Sequence, residues 1–157
     1  MSALRPRLLE DLPPQALRRV VGIMTDIDDT LTAAGRLDPP ALDALLALRA
    51  AQFPVIAITG RPLGWSEPFA RTWPVEAIVA ENGAVALIPE GAALRVEYVQ
   101  DEATRECNAV RLREVAQRVL REVPGALLAR DSAGRVTDIA VDHSEFTHLD
   151  AAAIQHV

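Results

Sequence analysis

The stretch Val20-Val21-Gly22-Ile23-Met24-Thr25-Asp26-Ile27-Asp28-Asp29-Thr30-Leu31-Thr32 decides how this chain is read. A short apolar run broken at once by acidic residues suits a strand buried on both faces of a parallel sheet. Ligands of such sheets sit at the carboxyl ends of the strands, so the three carboxylates fall at the ligand end. While the chain stays extended, Asp26 and Asp28 point the same way. Two carboxylates that close repel each other, and a hard divalent cation with oxygen ligands resolves the repulsion. One of them can then attack a phosphoryl group while its neighbour protonates the leaving oxygen and later activates water. The competing reading is a solvated acidic turn that caps the next helix; the apolar strand in front favours the chemical one. A calcium loop of EF-hand type counted from Asp26 fails, because Leu31 stands where Gly is required and Leu37 where Glu is required.

Downstream, Asp38-Pro39-Pro40 offers a helix start, and leucines recur at helical spacing up to Gln52. Val55 to Thr59 is a second buried-strand candidate, a helix follows at 64–72, and Ala77 to Ala80 is a third short strand. Strand, helix, strand, helix, strand predicts right-handed crossovers and a doubly wound, Rossmann-like α/β sheet. Beyond residue 83 the pattern becomes α+β. Segments 84–89 and 94–99 pair around a turn at Pro89 to Gly91, and a long helix covers 101–122. Segments 126–130 and 135–142 form a hairpin around Asp131 to Gly134, and a last helix starts near Leu149. The expected organisation is an N-terminal extension over 1–19 with one short helix, a core over 20–88 and a smaller module over 89–157.

With 157 residues, 50% of them hydrophobic, the chain can bury one sizeable core plus a small appended module. No apolar run approaches the roughly 20 residues that span a bilayer. The first residues lack the unbroken apolar stretch of a secretory signal, so a cytoplasmic protein without membrane partners is expected. Cys107 is the only cysteine, which excludes an internal disulfide and a cysteine-rich zinc site; its amphipathic surroundings predict a buried or half-buried thiol. A net charge of −6 argues against nucleic acid and fits recruitment of a divalent cation. All 16 basic residues are arginine, so the chain has no lysine.

The second strand ends in Thr59-Gly60-Arg61-Pro62. If it lies beside the first strand, the Thr59 hydroxyl can bind the phosphoryl oxygens that Asp26 attacks. The set Asp26-Ile27-Asp28-Asp29-Thr30-Leu31-Thr32, Val55-Ile56-Ala57-Ile58-Thr59-Gly60-Arg61-Pro62 and Ala77-Ile78-Val79-Ala80-Glu81-Asn82-Gly83-Ala84 resembles the haloacid dehalogenase superfamily. It is most similar to the subclass of the Cof-type sugar phosphatases and the trehalose-, sucrose- and mannosylglycerate-phosphate phosphatases, over roughly residues 20–88. That resemblance implies a Mg²⁺-dependent phosphatase for a small phosphorylated metabolite, a sugar phosphate. Asp26 would be nucleophile and metal ligand, and Asp28 the acid/base partner with its backbone carbonyl on the metal. Thr59 and Gly60 would bind phosphate, and Arg61 would contact substrate or brace the loop. Glu81, Asn82 and Gly83 would shape the pocket where the cap begins, and Thr30 would steady the loop.

Two family elements have no counterpart: no lysine can steady the nucleophile, and no Gly-Asp followed by a second Asp occurs after residue 90. Family members return from the cap to finish the sheet, whereas this sequence ends at Val157 within the cap, so an incomplete sheet is expected. Mg²⁺ would then rest on Asp26, the Asp28 carbonyl and waters. In the cap, Asp142, His143 and Glu145 form either a sugar-recognising surface or a helix cap. The alternatives are a phosphomutase with the same nucleophile and a catalytically silent module that associates through its open sheet. A signalling receiver domain is disfavoured: Ala80-Glu81-Asn82 follows the third strand where the phosphorylated Asp would stand, and no lysine is present.

Overall fold

The computed structural model describes residues 8–157. Of the expected extension, α1 (Pro14–Leu17) is helical, with Pro14 at its first position, and residues 1–7 lie outside the described part. After it come β1 (Ile23–Asp26), a small antiparallel pair β2 (Thr32–Ala33) and β3 (Arg36–Leu37), and α2 (Pro39–Ala50). Then follow β4 (Val55–Ile58), α3 (Leu63–Thr72), β5 (Ala77–Ala80), β6 (Val85–Glu90) and β7 (Ala93–Tyr98). The remaining elements are α4 (Glu102–Glu122), β8 (Leu127–Leu128), β9 (Val141–Asp142) and α5 (Ala151–His156).

Five strands form one sheet in the order β1-β4-β5-β6-β7. β1, β4 and β5 are parallel, joined by α2 and α3 as helical crossovers, and β6 and β7 add antiparallel to the far side. The α/β fold therefore stands as the sequence implies. Prolines at the start of α2 lack N–H groups that a helix start would leave unbonded anyway. Asp101 caps α4 by accepting the Thr104 N–H at 2.8 Å.

Three expectations need correction. The hairpin of β6 and β7 belongs to the main sheet and not to the second module, so the sheet runs past residue 88 to Tyr98. Alternating apolar residues would look the same in either place, and only the pairing of β6 with β5 decides. β1 is an edge strand rather than one buried on both faces, with Met24 73% exposed and Val21, two residues before the strand, 87% exposed. Cys107 is likewise exposed on α4 instead of buried.

The core gathers Ile27, Leu31, Leu45, Val55, Ala57, Ala70, Val75, Ile78 and Leu87, with Trp65, Phe69 and Trp73 of α3 and its end packed against it. Ile78 lies fully buried in the middle strand. Ile78→Ala leaves a cavity there, and equilibrium urea denaturation should show stability lower by about 2–5 kcal/mol with little change in the denaturant slope.

Candidate active site

Asp26 is the last residue of β1, and its partner across the parallel pair is Ile58, the last residue of β4. The two strands run out together, so the loops that follow leave the sheet side by side. Ile27, fully buried, is drawn into the core, and a chain still extended there directs its neighbours Asp26 and Asp28 to the opposite side. The Ile27 carbonyl then accepts the N–H groups of Leu31 and Thr32, each at 3.0 Å, and the Thr32 hydroxyl at 3.0 Å. Asp29 makes the tight turn with φ 56°, a left-handed conformation that Asp tolerates better than most residues.

The Thr30 hydroxyl donates to Asp26 Oδ2 at 3.3 Å. Asp28 is held from the neighbouring strand end: Thr59 Oγ1 donates to its Oδ2 at 3.0 Å and Arg61 Nε to its Oδ1 at 3.2 Å. The Arg61 N–H donates in turn to Thr59 Oγ1 at 3.0 Å, which fixes the hydroxyl. Gly60 lies between them because a Cβ there would come 2.9 Å from Asn82 Oδ1. The Arg61 Nη1 lies 3.8 Å from Asp131 Oδ2 and 4.0 Å from Glu145 Oε1, and the guanidinium stands over the Trp65 ring.

These groups open on a cavity of about 390 Å³ with Asp28, Gly60 and Arg61 on one side and Asp131, His143 and Glu145 on the other. One wall is the turn after β9. There both Asp142 oxygens accept the N–H groups of Ser144, Glu145, Phe146 and Thr147 at 2.9–3.1 Å. Asp142 is thus a cap of the turn, while His143 and Glu145 beside it face the cavity. Burial raises the Asp142 pKa, but these four hydrogen bonds lower it by more, leaving it below the ordinary 3.8.

Glu81 is only 2% exposed. Its Oε1 accepts the N–H groups of Leu63 and Val136 at 3.0 Å, and its Oε2 accepts the Thr137 N–H at 2.6 Å and the Thr137 hydroxyl. The Leu63 contact sets the carboxylate at the N-terminus of α3, where the helix dipole favours negative charge. Burial raises the Glu81 pKa, yet the bonds from Leu63, Thr137 and Val136 outweigh it and hold the carboxyl below its ordinary 4.5.

The comparisons with known proteins bear on this geometry. Residues 23–117, more than half of the chain, match the family model of a haloacid dehalogenase-like hydrolase. The chain belongs to the haloacid dehalogenase-like hydrolase family. Among curated proteins none matches it. Of solved structures, a phosphatase of the haloalkanoate dehalogenase superfamily from Bacteroides thetaiotaomicron is similar at 18% identity and TM-score 0.54 over 94% of this chain. A Thermoplasma acidophilum protein is similar at 12% identity and TM-score 0.64 over 87% of this chain. The chain spans 62% of the first and 54% of the second. At these identities the likeness shows the fold. Among the described residues no helix is long and apolar enough to cross a membrane.

Of the residues singled out in the sequence of this haloacid dehalogenase-like hydrolase, Asp28, Thr59 and Arg61 are bonded to one another, with Gly60 between the last two. Asp26 stands next to them at the strand end, held by Thr30. Glu81 and Asn82 do not face the cavity as substrate ligands. The Glu81 carboxylate is filled by the protein's own donors, and Asn82 Nδ2 donates to Asp138 Oδ2 at 3.1 Å. Gly83, with φ 100°, completes the turn beside them. The reading of the sequence missed Arg135, Thr137 and Asp138. The spacing of Asp131, Arg135 and Asp138 signals local ion pairing, but nothing local signals that this loop docks on Glu81.

Three carboxylates with lowered pKa values, Glu81, Asp142 and the α4 cap Asp101, tie stability to acidity. A group whose folded pKa lies below its unfolded one stabilises fully above the unfolded value and loses that contribution as pH falls through the folded value. The melting temperature should therefore fall as pH drops below about 4.5, the ordinary Glu81 value. In Glu81→Gln, a variant of lower melting temperature at neutral pH, thermal scans from pH 7 to pH 3 should show a shallower decline.

Proposed function

We propose that the protein is a phosphatase that hydrolyses a small phosphorylated metabolite, a sugar phosphate, through an aspartyl-phosphate on Asp26. The observation that carries this reading is the bonded set Asp28, Thr59 and Arg61 beside Asp26 at the ends of two parallel strands, open to a cavity of metabolite size. Membership of the hydrolase family supports it.

In the first step an Asp26 oxygen bonds to phosphorus while the bond from phosphorus to the ester oxygen breaks. Asp28, protonated, gives its proton to the departing oxygen. In the second step Asp28, now a carboxylate, takes a proton from a water whose oxygen attacks phosphorus. The bond to Asp26 breaks and inorganic phosphate leaves. Thr59 turns its hydroxyl from Asp28 to a phosphoryl oxygen, and the Gly60 backbone lies close enough for phosphate to approach. Arg61 keeps Asp28 aimed at the leaving oxygen.

The donors at this strand end are hard oxygens, which suits Mg²⁺ and not a softer metal. Among the described residues no three His, Cys, Asp or Glu side chains cluster as a metal site. Asp26 and the Asp28 carbonyl would hold the ion, with water and substrate phosphate as the other ligands. Bound Mg²⁺ supplies positive charge that offsets repulsion between the anionic nucleophile and the anionic phosphate.

The test is Mg²⁺-dependent hydrolysis of a generic phosphate ester by the longest natural form of the protein. Asp26→Asn should lower kcat by about 10³-fold or more, and undiminished activity in that variant would sink the proposal.

The exposed Met24 on the open edge of β1 and Val21 just before it favour a second reading, a silent module completed by another chain. Sedimentation velocity of the purified 157-residue chain should then show a concentration-dependent dimer or larger species. A compact monomer at all concentrations counts against it.

A further inference from the structure

We propose that Glu81 is a positioning residue whose buried carboxylate fastens the 131–138 loop of the second module to the core and thereby fixes Arg61 against Asp28. Its meaning for catalysis rests on the phosphatase reading; the geometry does not.

Three of the four donors to Glu81 are main-chain N–H groups, so what the carboxylate fixes is the path of the backbone. One donor, Leu63, opens α3 in the core, and the others, Val136 and Thr137, belong to the second module. Both Glu81 and Asn82 adopt left-handed conformations, with φ 49° and 57°. Non-glycine residues are seldom held so unless their surroundings determine it. Here that strained turn delivers the carboxylate to the loop.

From Thr137 the connection is continuous. Arg135, two residues before it, has a side chain 9% exposed. Its Nη1 meets both Asp138 oxygens at 2.8 and 3.0 Å, and its Nη2 and Nε meet Asp131 at 3.2 and 3.3 Å. Such a fork locks the loop as one unit. Asp138 also accepts the Asn82 amide, and Asp131 faces Arg61 Nη1 at 3.8 Å. Arg61 is therefore held by Asp28 on the core side and by Asp131 on the loop side. Releasing the loop removes the second hold.

The experiment is amide exchange and Arg Nε–H NMR on the whole chain carrying Glu81→Gln. A Gln keeps one acceptor oxygen and puts an NH₂ group in place of the other, against either the Thr137 N–H or the N–H groups of Leu63 and Val136. Exchange at Val136 or at Thr137, whichever loses its acceptor, should quicken by about tenfold or more, the fold-change expected on losing a hydrogen bond to a charged group. The Arg61 Nε–H resonance should move toward its position in Asp28→Asn, while the core amides of Ala57 and Ile78 keep their protection. A merely structural role would not move the Arg61 signal selectively. Unchanged exchange at Val136 and Thr137 would overturn the proposal, and so would faster exchange with Arg61 unmoved. If Glu81→Gln does not fold, Thr137→Val keeps the carboxylate and removes one donor. It should give the same selective Arg61 shift, smaller in size, and no shift would overturn the proposal. None of these readings needs turnover, so failure of the phosphatase assay leaves this test intact.

Discussion

Everything at the site depends on the in-register parallel pairing of β1 with β4, which sets Asp26 opposite Ile58. Because both strands end there, the loop carrying Asp28 and the loop carrying Thr59 emerge at one level. The spacing is short enough for a hydroxyl to bridge them at 3.0 Å. A shift of one residue in either strand would turn its side chains to the other face, taking Asp26 and Asp28 away from Thr59 and pulling Ile27 from the core. Burial of Ile27 and exposure of its two acidic neighbours are one constraint seen from two sides.

The second dependence runs through Glu81. A carboxylate removed from water is costly unless its oxygens are satisfied, and here four donors satisfy them. Those donors come from two parts of the molecule, so satisfying one buried charge also fixes where the second module sits. The cavity wall inherits that fixed position through Arg135 and Asp131. Asp142 uses the same device on a smaller scale, ordering the turn that carries His143 and Glu145.

Much of this was legible in the sequence because the deciding signals are local. The apolar runs ending at Asp26 and at Thr59 are short and sharply bounded, and β1, β4 and β5 lie where those runs predict. Asp28, Thr59 and Arg61 were legible as a cluster for the same reason: each lies within three residues of a strand end. Met24 shows the limit, since an apolar residue in a strand reads alike at an edge and in the middle of a sheet. The hairpin of β6 and β7 shows it again, because alternation gives the strands but not the sheet they join. The partners of Glu81 were not legible because they lie far along the chain, in a loop whose own sequence is occupied with local ion pairs.

The meeting of the loop after β4 with the second module has one further consequence. At its centre Gly64 and Gly134 face each other with no side chain between them. A Cβ on Gly64 would stand 3.3 Å from the Gly134 Cα, a main-chain atom that cannot swing aside. The joint is therefore cut to the thickness of two bare backbones. A side chain at 64 would therefore require the backbone at 134 to move outward by a few tenths of an ångström. The constraint is one-sided: a Cβ at 134 would meet Gly64 Cα at 3.6 Å, an ordinary contact, so the thickness of the joint is set at position 64.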